Sequence, residues 1–102
     1  MVFMEKENSI AVKLVAPVDD ESPVSVMARR GGGLHHLCFR CSSISQELFR
    51  LNALGAHTLS PPQPGEAFEN EDIAFVFCKM GLNIELIETD KRANRIRAER
   101  TP

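Results

Sequence analysis

The sequence predicts an α+β fold, in which a βαβββ module follows a β-hairpin and a short connecting helix. Three observations support this prediction. Residues 34–41 are apolar-rich and β-compatible, and an amphipathic helical pattern follows at 44–54. Two further β-compatible runs, 73–79 and 82–88, are separated by a glycine turn. Near the start, residues 2–17 contain two short β-compatible runs around a polar turn, which indicates a hairpin.

Length and composition indicate one small globular domain. The chain has 102 residues, of which 43% are hydrophobic and 25% are charged, so it can bury a modest core. We expect one domain over 1–102, divided into a hairpin (2–17), a connector (18–33), the module (34–88) and a basic tail (89–102). No apolar run approaches the roughly 20 residues that span a bilayer, and the first residues do not form a signal peptide. We therefore expect a cytoplasmic protein without a membrane partner.

The hairpin and connector have recognisable boundaries. Residues 1–6 and 10–15 are the two runs of the hairpin. Further strands must stabilise it, because a two-stranded hairpin alone is only marginally stable in water. Ser22 and Pro23 are typical of a helix N-cap followed by proline at the first helical position. The connecting helix would end at the glycines that begin at Gly31.

The run 34–41 is predicted to be a strand with two different faces, because successive strand side chains point to opposite sides. One face holds chemically versatile groups: His36, Cys38 and Arg40. The other face is mostly apolar and is predicted to pack on a helix: His35, Leu37, Phe39 and Cys41.

The helix at 44–54 has a start and a stop signal. Ser43 and Gln46 have the spacing of a capping box, and Gly55 suits the C-terminal end. Its apolar stripe is predicted to belong to the core. Beyond it, the proline-rich segment 60–65 is predicted to be a rigid loop in which strand pairing cannot continue.

The run 82–88 carries a carboxylate in an unusual place. Leu82, Ile84 and Leu86 share the face predicted to contact the helix, so Asn83 and Glu85 point the other way. A charge in the middle of an apolar strand should be paired, bound to a metal or exposed to water. We therefore expect Glu85 to point away from the helix, on the same side as the His36 face.

A histidine nitrogen and a carboxylate oxygen on adjacent strands form half of a divalent metal shell, suited by ligand type to Zn, Mn, Co, Ni or Fe. His36 and Glu85 are the predicted ligands, and the sequence offers no clear third one. Cys38, Arg40 and Asn83 would line a pocket on the same face. The alternative is that His36 is an exposed strand residue without a ligand.

The cysteines and the tail have simpler interpretations. The number of cysteines is three, in a chain without an export signal, so we expect reduced thiols. Residues 90–102 hold five basic side chains and two acidic ones, without an aromatic residue among them. We expect this tail to be a solvated surface helix or a frayed end, not a nucleic-acid contact.

The order of elements, the motif Gly-Leu-His-His-Leu-Cys-Phe at 33–39 and the closing strand at 81–88 resemble the vicinal oxygen chelate superfamily, which includes glyoxalase, bleomycin resistance and dioxygenase proteins. The likeness is closest to methylmalonyl-CoA epimerase-like and lactoylglutathione lyase-like proteins. It implies an N-terminally short version: residues 2–17 look like the last hairpin of a first module, and 34–88 look like a second module.

The resemblance also implies a chemistry. His36 and Glu85 would be two ligands of a divalent metal that acts as a Lewis acid on an enolate, with Glu85 as the catalytic carboxylate. The substrate would be a small carbonyl compound or an acyl thioester. We expect a homodimer, in which two copies either face their modules or exchange hairpins. The alternatives are a metal-free, resistance-type protein that binds a small molecule, and a non-catalytic dimerising module.

Overall fold

The computed structural model describes residues 1–97, which form two compact units, each with its own sheet. One unit comprises residues 1–34 and the segment that begins at Arg92, and the other runs from His35 to Lys91. The elements in chain order are β1 (Val2–Glu5), β2 (Val12–Leu14), α1 (Ser25–Arg29), β3 (Leu37–Arg40), α2 (Ile44–Ala53), β4 (His57–Pro64), a 3-10 helix (Glu66–Phe68), β5 (Asp72–Cys78), β6 (Leu82–Ile87) and β7 (Arg95–Arg97). None of the helices within residues 1–97 is long and apolar enough to cross a membrane.

The first unit contains the predicted hairpin, and the tail adds a third strand to it. The strand order is β2-β1-β7, with β1 antiparallel to β2 and parallel to β7. The prediction of a surface helix or a frayed end is therefore wrong for Arg95–Arg97. The reason is that β1 offers a free edge, which the tail occupies by backbone pairing. The remainder of the predicted tail, residues 98–102, lies outside the described residues.

The connecting helix is present as predicted, but it begins later than its expected cap. Helix α1 starts at Ser25, its N-cap position is Val24, and no side chain caps it. The hydroxyl of Ser25 instead donates to the carbonyl oxygen of Asp20 at 2.8 Å. The Ser22-Pro23 cap prediction is wrong because Ser22 and Pro23 lie in a turn before the helix, where the Ser22 backbone carbonyl accepts from the Ser25 N–H at 3.0 Å.

The second unit is the predicted βαβββ module, which confirms the α+β fold. Its sheet has the order β3-β6-β5-β4, in which β3 is parallel to β6 and the other neighbouring pairs are antiparallel. Helix α2 begins where predicted: the Ser43 hydroxyl accepts from the Gln46 backbone N–H at 3.2 Å. A carboxylate oxygen of Glu88 accepts from the Ile44 backbone N–H, so two N–H groups of the first turn have partners.

The core of this unit lies between α2 and one face of the sheet. Its fully buried members are Ile44, Ala74, Val76 and Leu86. Ile84 packs against them, so the predicted helix-facing side of β6 is confirmed. Leu37 and Phe39 of β3 were expected on the same interface, but they are 37% and 52% exposed. Helix α2 packs on β4 and β5 and leaves these side chains of the edge strand β3 partly uncovered.

Strand β4 runs through the proline-rich segment that was predicted to be a loop. It pairs with β5 from His57 to Pro64, with register shifts between Thr58 and Ser60 and between Ser60 and Gln63. The prediction is wrong because β4 is an edge strand, where proline's missing N–H is tolerated and bulges absorb the irregularity.

Candidate functional site

The β3–β6 register brings the predicted imidazole and carboxylate together. In this parallel pair Cys38 lies opposite Glu85, and His36 comes one residue before β3 begins. The Nε2 atom of His36 lies 2.9 Å from Oε1 of Glu85, which is hydrogen-bond distance. The two side chains therefore form a direct pair on the side of the sheet that faces away from α2.

This pair is almost completely shielded from solvent. Glu85 is 1% exposed, and the side chain of His36 is 11% exposed. A buried carboxylate is costly unless it is hydrogen-bonded or paired, so the contact with His36 is energetically required. A charged side chain held at such a position is unusual for a core and is typical of a functional site.

Phe75 completes the immediate surroundings of the pair. It lies opposite Glu85 in the β5–β6 ladder, and its ring meets the His36 ring edge to face, with 5.3 Å between ring centroids. Such aromatic contacts fix the orientation of a ring. The plane of His36 is therefore set by packing as well as by its hydrogen bonds.

His35 contacts His36, although the two were predicted to lie on opposite faces. Their Nδ1 atoms are 2.8 Å apart, and their rings meet nearly at right angles. The prediction is wrong because strand alternation starts only at Leu37, so the two histidines are on irregular backbone. The glycines at 31–33, all with positive φ, were the available signal that the strand starts late.

The two hydrogen bonds of His36 constrain its proton. A neutral imidazole donates through one nitrogen and accepts through the other. When Nε2–H of a neutral His36 donates to Glu85, its Nδ1 must accept from His35. When Nδ1–H of His36 instead donates to His35, its Nε2 must accept from Glu85. His35 is thus a neighbour that determines which His36 nitrogen can act, a role that sequence reasoning missed.

The structure places the three predicted pocket residues differently. Cys38 lies beside Glu85 in the register and is exposed. Asn83 is half-buried and opposite Phe77, on the Glu85 face of β6. Arg40 is exposed and forms an ion pair with Asp90, so its charge already has a partner.

Cys38 and Cys41 occupy different environments, although they are three residues apart. Cys38 is exposed, whereas Cys41 is half-buried and packs against the α2 core. Burial raises the pKa of the Cys41 thiol, and the carboxylates of Glu88 and Glu47 raise it further. Cys41 is therefore a poor nucleophile and does not belong to the candidate site.

The donor set fits part of a metal shell. Within residues 1–97, no group of three or more histidine, cysteine, aspartate or glutamate side chains is placed to hold one ion. His36 and Glu85 supply an imidazole nitrogen and a carboxylate oxygen, the ligand types that Zn and related divalent ions accept. Catalytic zinc sites use three protein ligands, so these two side chains do not complete such a site by themselves.

Comparison with known proteins identifies the relatives of this chain. A model of the Glyoxalase/Bleomycin resistance protein/Dioxygenase superfamily matches residues 1–77. A Bacillus subtilis (strain 168) protein described as "Uncharacterized protein YqjC" is 29% identical over 83 residues, which cover 78% of this chain and 59% of that protein. The chain thus spans less than two thirds of the length of this relative. Together with the βαβββ module, the match over most of its length shows that the chain belongs to the glyoxalase/bleomycin resistance protein/dioxygenase superfamily.

Proposed function

We propose that this protein is a glyoxalase-like, metal-dependent lyase or isomerase/epimerase that acts on a small carbonyl compound or an acyl thioester. The activity proposed is of the methylmalonyl-CoA epimerase-like or lactoylglutathione lyase-like type. The observation that supports the proposal is the buried His36–Glu85 pair, 2.9 Å apart on the side of the sheet that faces away from α2.

His36 and Glu85 would hold a divalent ion, which can be Zn, Mn, Co, Ni or Fe by ligand type. When bound, the ion supplies Lewis-acid stabilisation of the negative charge that develops on the substrate carbonyl oxygen. The carboxylate of Glu85 takes the proton from the carbon beside that carbonyl, and the C–H electron pair moves into the enolate. Delivery of a proton to the opposite face of the carbon, by the carboxyl group of Glu85 in the second copy, would give the epimer. His36 and Phe75 hold the site in a fixed geometry.

His36 and Glu85 of one chain supply only part of a metal shell, so a second copy of the chain would have to supply the remaining ligands. We therefore propose a homodimer. Two copies would bring together two His36 and two Glu85 side chains. An exposed apolar face on the first unit supports a partner, because the register of β1, β2 and β7 aligns these side chains: Met4, Val12, Leu14 and Ile96. Covering this face by exchange of hairpins or by direct docking would remove it from water.

Metal content and proton exchange test the proposal. The protein, purified without an affinity tag, is compared with His36→Ala, Glu85→Gln and the control His57→Ala, whose histidine is exposed on β4. We expect divalent metal in the wild type and the control but not in the other two variants. We also expect incorporation of solvent deuterium beside the carbonyl of an acyl thioester or 2-oxo compound. Equal metal content in all four proteins would contradict the proposal.

A metal-free, resistance-type binding protein is the second candidate. The observation that favours it is the direct His36–Glu85 hydrogen bond, which satisfies both groups without an ion. Phe75, Asn83 and Cys38 would then form the wall of a ligand pocket on the same face. A ligand that raises Tm in the presence of a chelator, and does so less in a Phe75→Ala variant, would support this candidate.

If neither metal nor ligand changes Tm, the chain is a non-catalytic dimerising module of the same fold. A cytoplasmic location is part of the proposal, because the three free cysteines suit a reducing compartment.

A further inference from the structure

Arg92, Arg95 and Arg97 line a cavity whose described lining residues include neither His36 nor Glu85. The cavity has a volume of about 860 Å³ and lies within the first unit, between the β1–β2 turn at residues 5–11 and the side chains of Arg92, Arg95 and Arg97. Sites for small molecules commonly have volumes of about 300–1,000 Å³. The cavity is therefore large enough for a ligand of metabolite size.

The lining of this cavity has an excess of positive charge. Among the described residues, 1–97, four cationic side chains face two carboxylates: Lys6, Arg92, Arg95 and Arg97 against Glu5 and Glu7. Two positive charges are left over. The register explains part of this clustering, because Arg97 lies opposite Glu5 and Arg95 lies opposite Phe3, which places both arginines on one face of the sheet.

Glu5 fixes two of the arginines in place. It is only 8% exposed, and its carboxylate accepts from Nη1 of Arg92 at 2.5 Å and from Nε of Arg95 at 2.6 Å. These two guanidinium groups hold the pKa of Glu5 below its ordinary value, and the hydrogen bond from Arg95 has the larger effect. Arg92 also lies over the Phe3 ring, 5.7 Å from its centroid. One carboxylate thus orients two guanidinium groups but neutralises only one charge.

The other two cations of the lining do not form a side-chain ion pair with any residue in the described range 1–97. Within residues 1–97, the side chains of Lys6 and Arg97 make no hydrogen bond or ion pair with another residue. Asn8 and Ser9 in the turn add neutral polar groups to the same lining. The cavity therefore combines fixed guanidinium groups with cations that are available to an incoming anion.

We propose that this cavity binds the phosphate group of a small molecule. A phosphate carries close to two negative charges and offers oxygens that match the fork of an arginine guanidinium. The excess of two positive charges among the described lining residues is similar in size and opposite in sign to the charge of such a group. A nucleic-acid polymer is disfavoured because none of the lining residues in the described part of the chain is aromatic and able to stack on a base. The proposal does not depend on the metal chemistry at His36 and Glu85.

Titration calorimetry with sodium pyrophosphate at fixed ionic strength tests this proposal on the full chain. The variants are Lys6→Gln and Arg97→Gln, and the matched control is Arg30→Gln, an exposed arginine of the same unit that does not line the cavity. We expect saturable binding in the wild type, a loss of affinity of about tenfold or more in each cavity variant, and no change in the control.

Two results would overturn the proposal. The first is the absence of saturable binding, or an equal loss in Arg30→Gln and Arg97→Gln, since attraction by net charge alone would then explain the data. The second is a short single-stranded DNA that binds more tightly than pyrophosphate at the same phosphate concentration, since the ligand would then be a polymer. Circular dichroism of each variant checks that it is folded.

Discussion

His36 Nε2 lies 2.9 Å from Glu85 Oε1, although 49 residues separate the two in the chain. The parallel pairing of β3 with β6 produces this contact, because it brings the start of the module beside its last strand. Glu85 lies on β6 and His36 directly precedes β3, so the paired strands position both groups, and both are largely shielded from solvent. Changes to either residue should therefore alter stability as well as any activity.

Replacement of Glu85 by alanine should destabilise the protein by about 1–3 kcal/mol, because the buried imidazole of His36 would lose its acceptor. Urea unfolding followed by circular dichroism measures this loss. Glu85→Gln, which keeps an acceptor oxygen, should cost less. A Glu85→Ala variant as stable as the wild type would show that the pair does not form in solution.

Alkylation rates should separate the cysteines. At pH 8, iodoacetamide should modify Cys38 faster than Cys41, because Cys41 is buried against the core and its raised pKa leaves less thiolate. Mass spectrometry of peptides from a time course gives both rates. A faster reaction at Cys41, with the protein folded, would contradict the packing of the β3–α2 connection.

Acid should weaken the contribution of Glu5 to stability. Its pKa lies below the ordinary 4.5 in the folded state, because Arg95 and Arg92 stabilise the carboxylate. Its stabilisation is therefore complete above pH 4.5 and disappears as the pH falls through the lowered value. Denaturation of the wild type and Glu5→Gln at several pH values should show that the wild type has the larger free energy of unfolding at pH 7, and that this difference becomes smaller as the pH falls. A difference that grows toward acid pH would contradict the Arg92 and Arg95 contacts.

Truncation of Leu86 should be among the most damaging core changes. The side chain is 2% exposed and packs with Ile44, Ala74 and Val76, so Leu86→Ala should cost about 2–5 kcal/mol. Chemical denaturation measures the difference. The control Leu54→Ala, at a position that is 69% exposed, should change stability by less than about 0.5 kcal/mol. Similar losses in both variants would mean that α2 packs differently.

Much of the module was predictable because its signals are local. The run at 82–88 places Leu86 on the helix side and Glu85 on the other side by simple alternation, and the structure agrees. Helix α2 was predicted from the Ser43 cap, which the structure contains. Such signals depend on a few neighbouring residues, so one sequence is enough to recognise them.

The errors occurred where tertiary pairing decides the structure. Arg95–Arg97 form a strand only because β1, far away in the chain, offers an edge. The proline-rich part of β4 pairs because it lies at the border of the sheet. The His35–His36 contact depends on where β3 begins, which alternation alone does not give. Only the late start of β3 has a local sequence signal, which is the run of glycines at 31–33.

The parallel pairing of β1 with β7 has a consequence for biosynthesis. Phe3 pairs with Arg95, so β1 leaves the ribosome about 90 residues before the strand that pairs with it. Until then the nascent hairpin has only two strands and is marginal by itself, whereas the βαβββ module can already be assembled. The apolar side chains of the waiting hairpin would be exposed throughout this interval, when aggregation or exchange between chains is easiest.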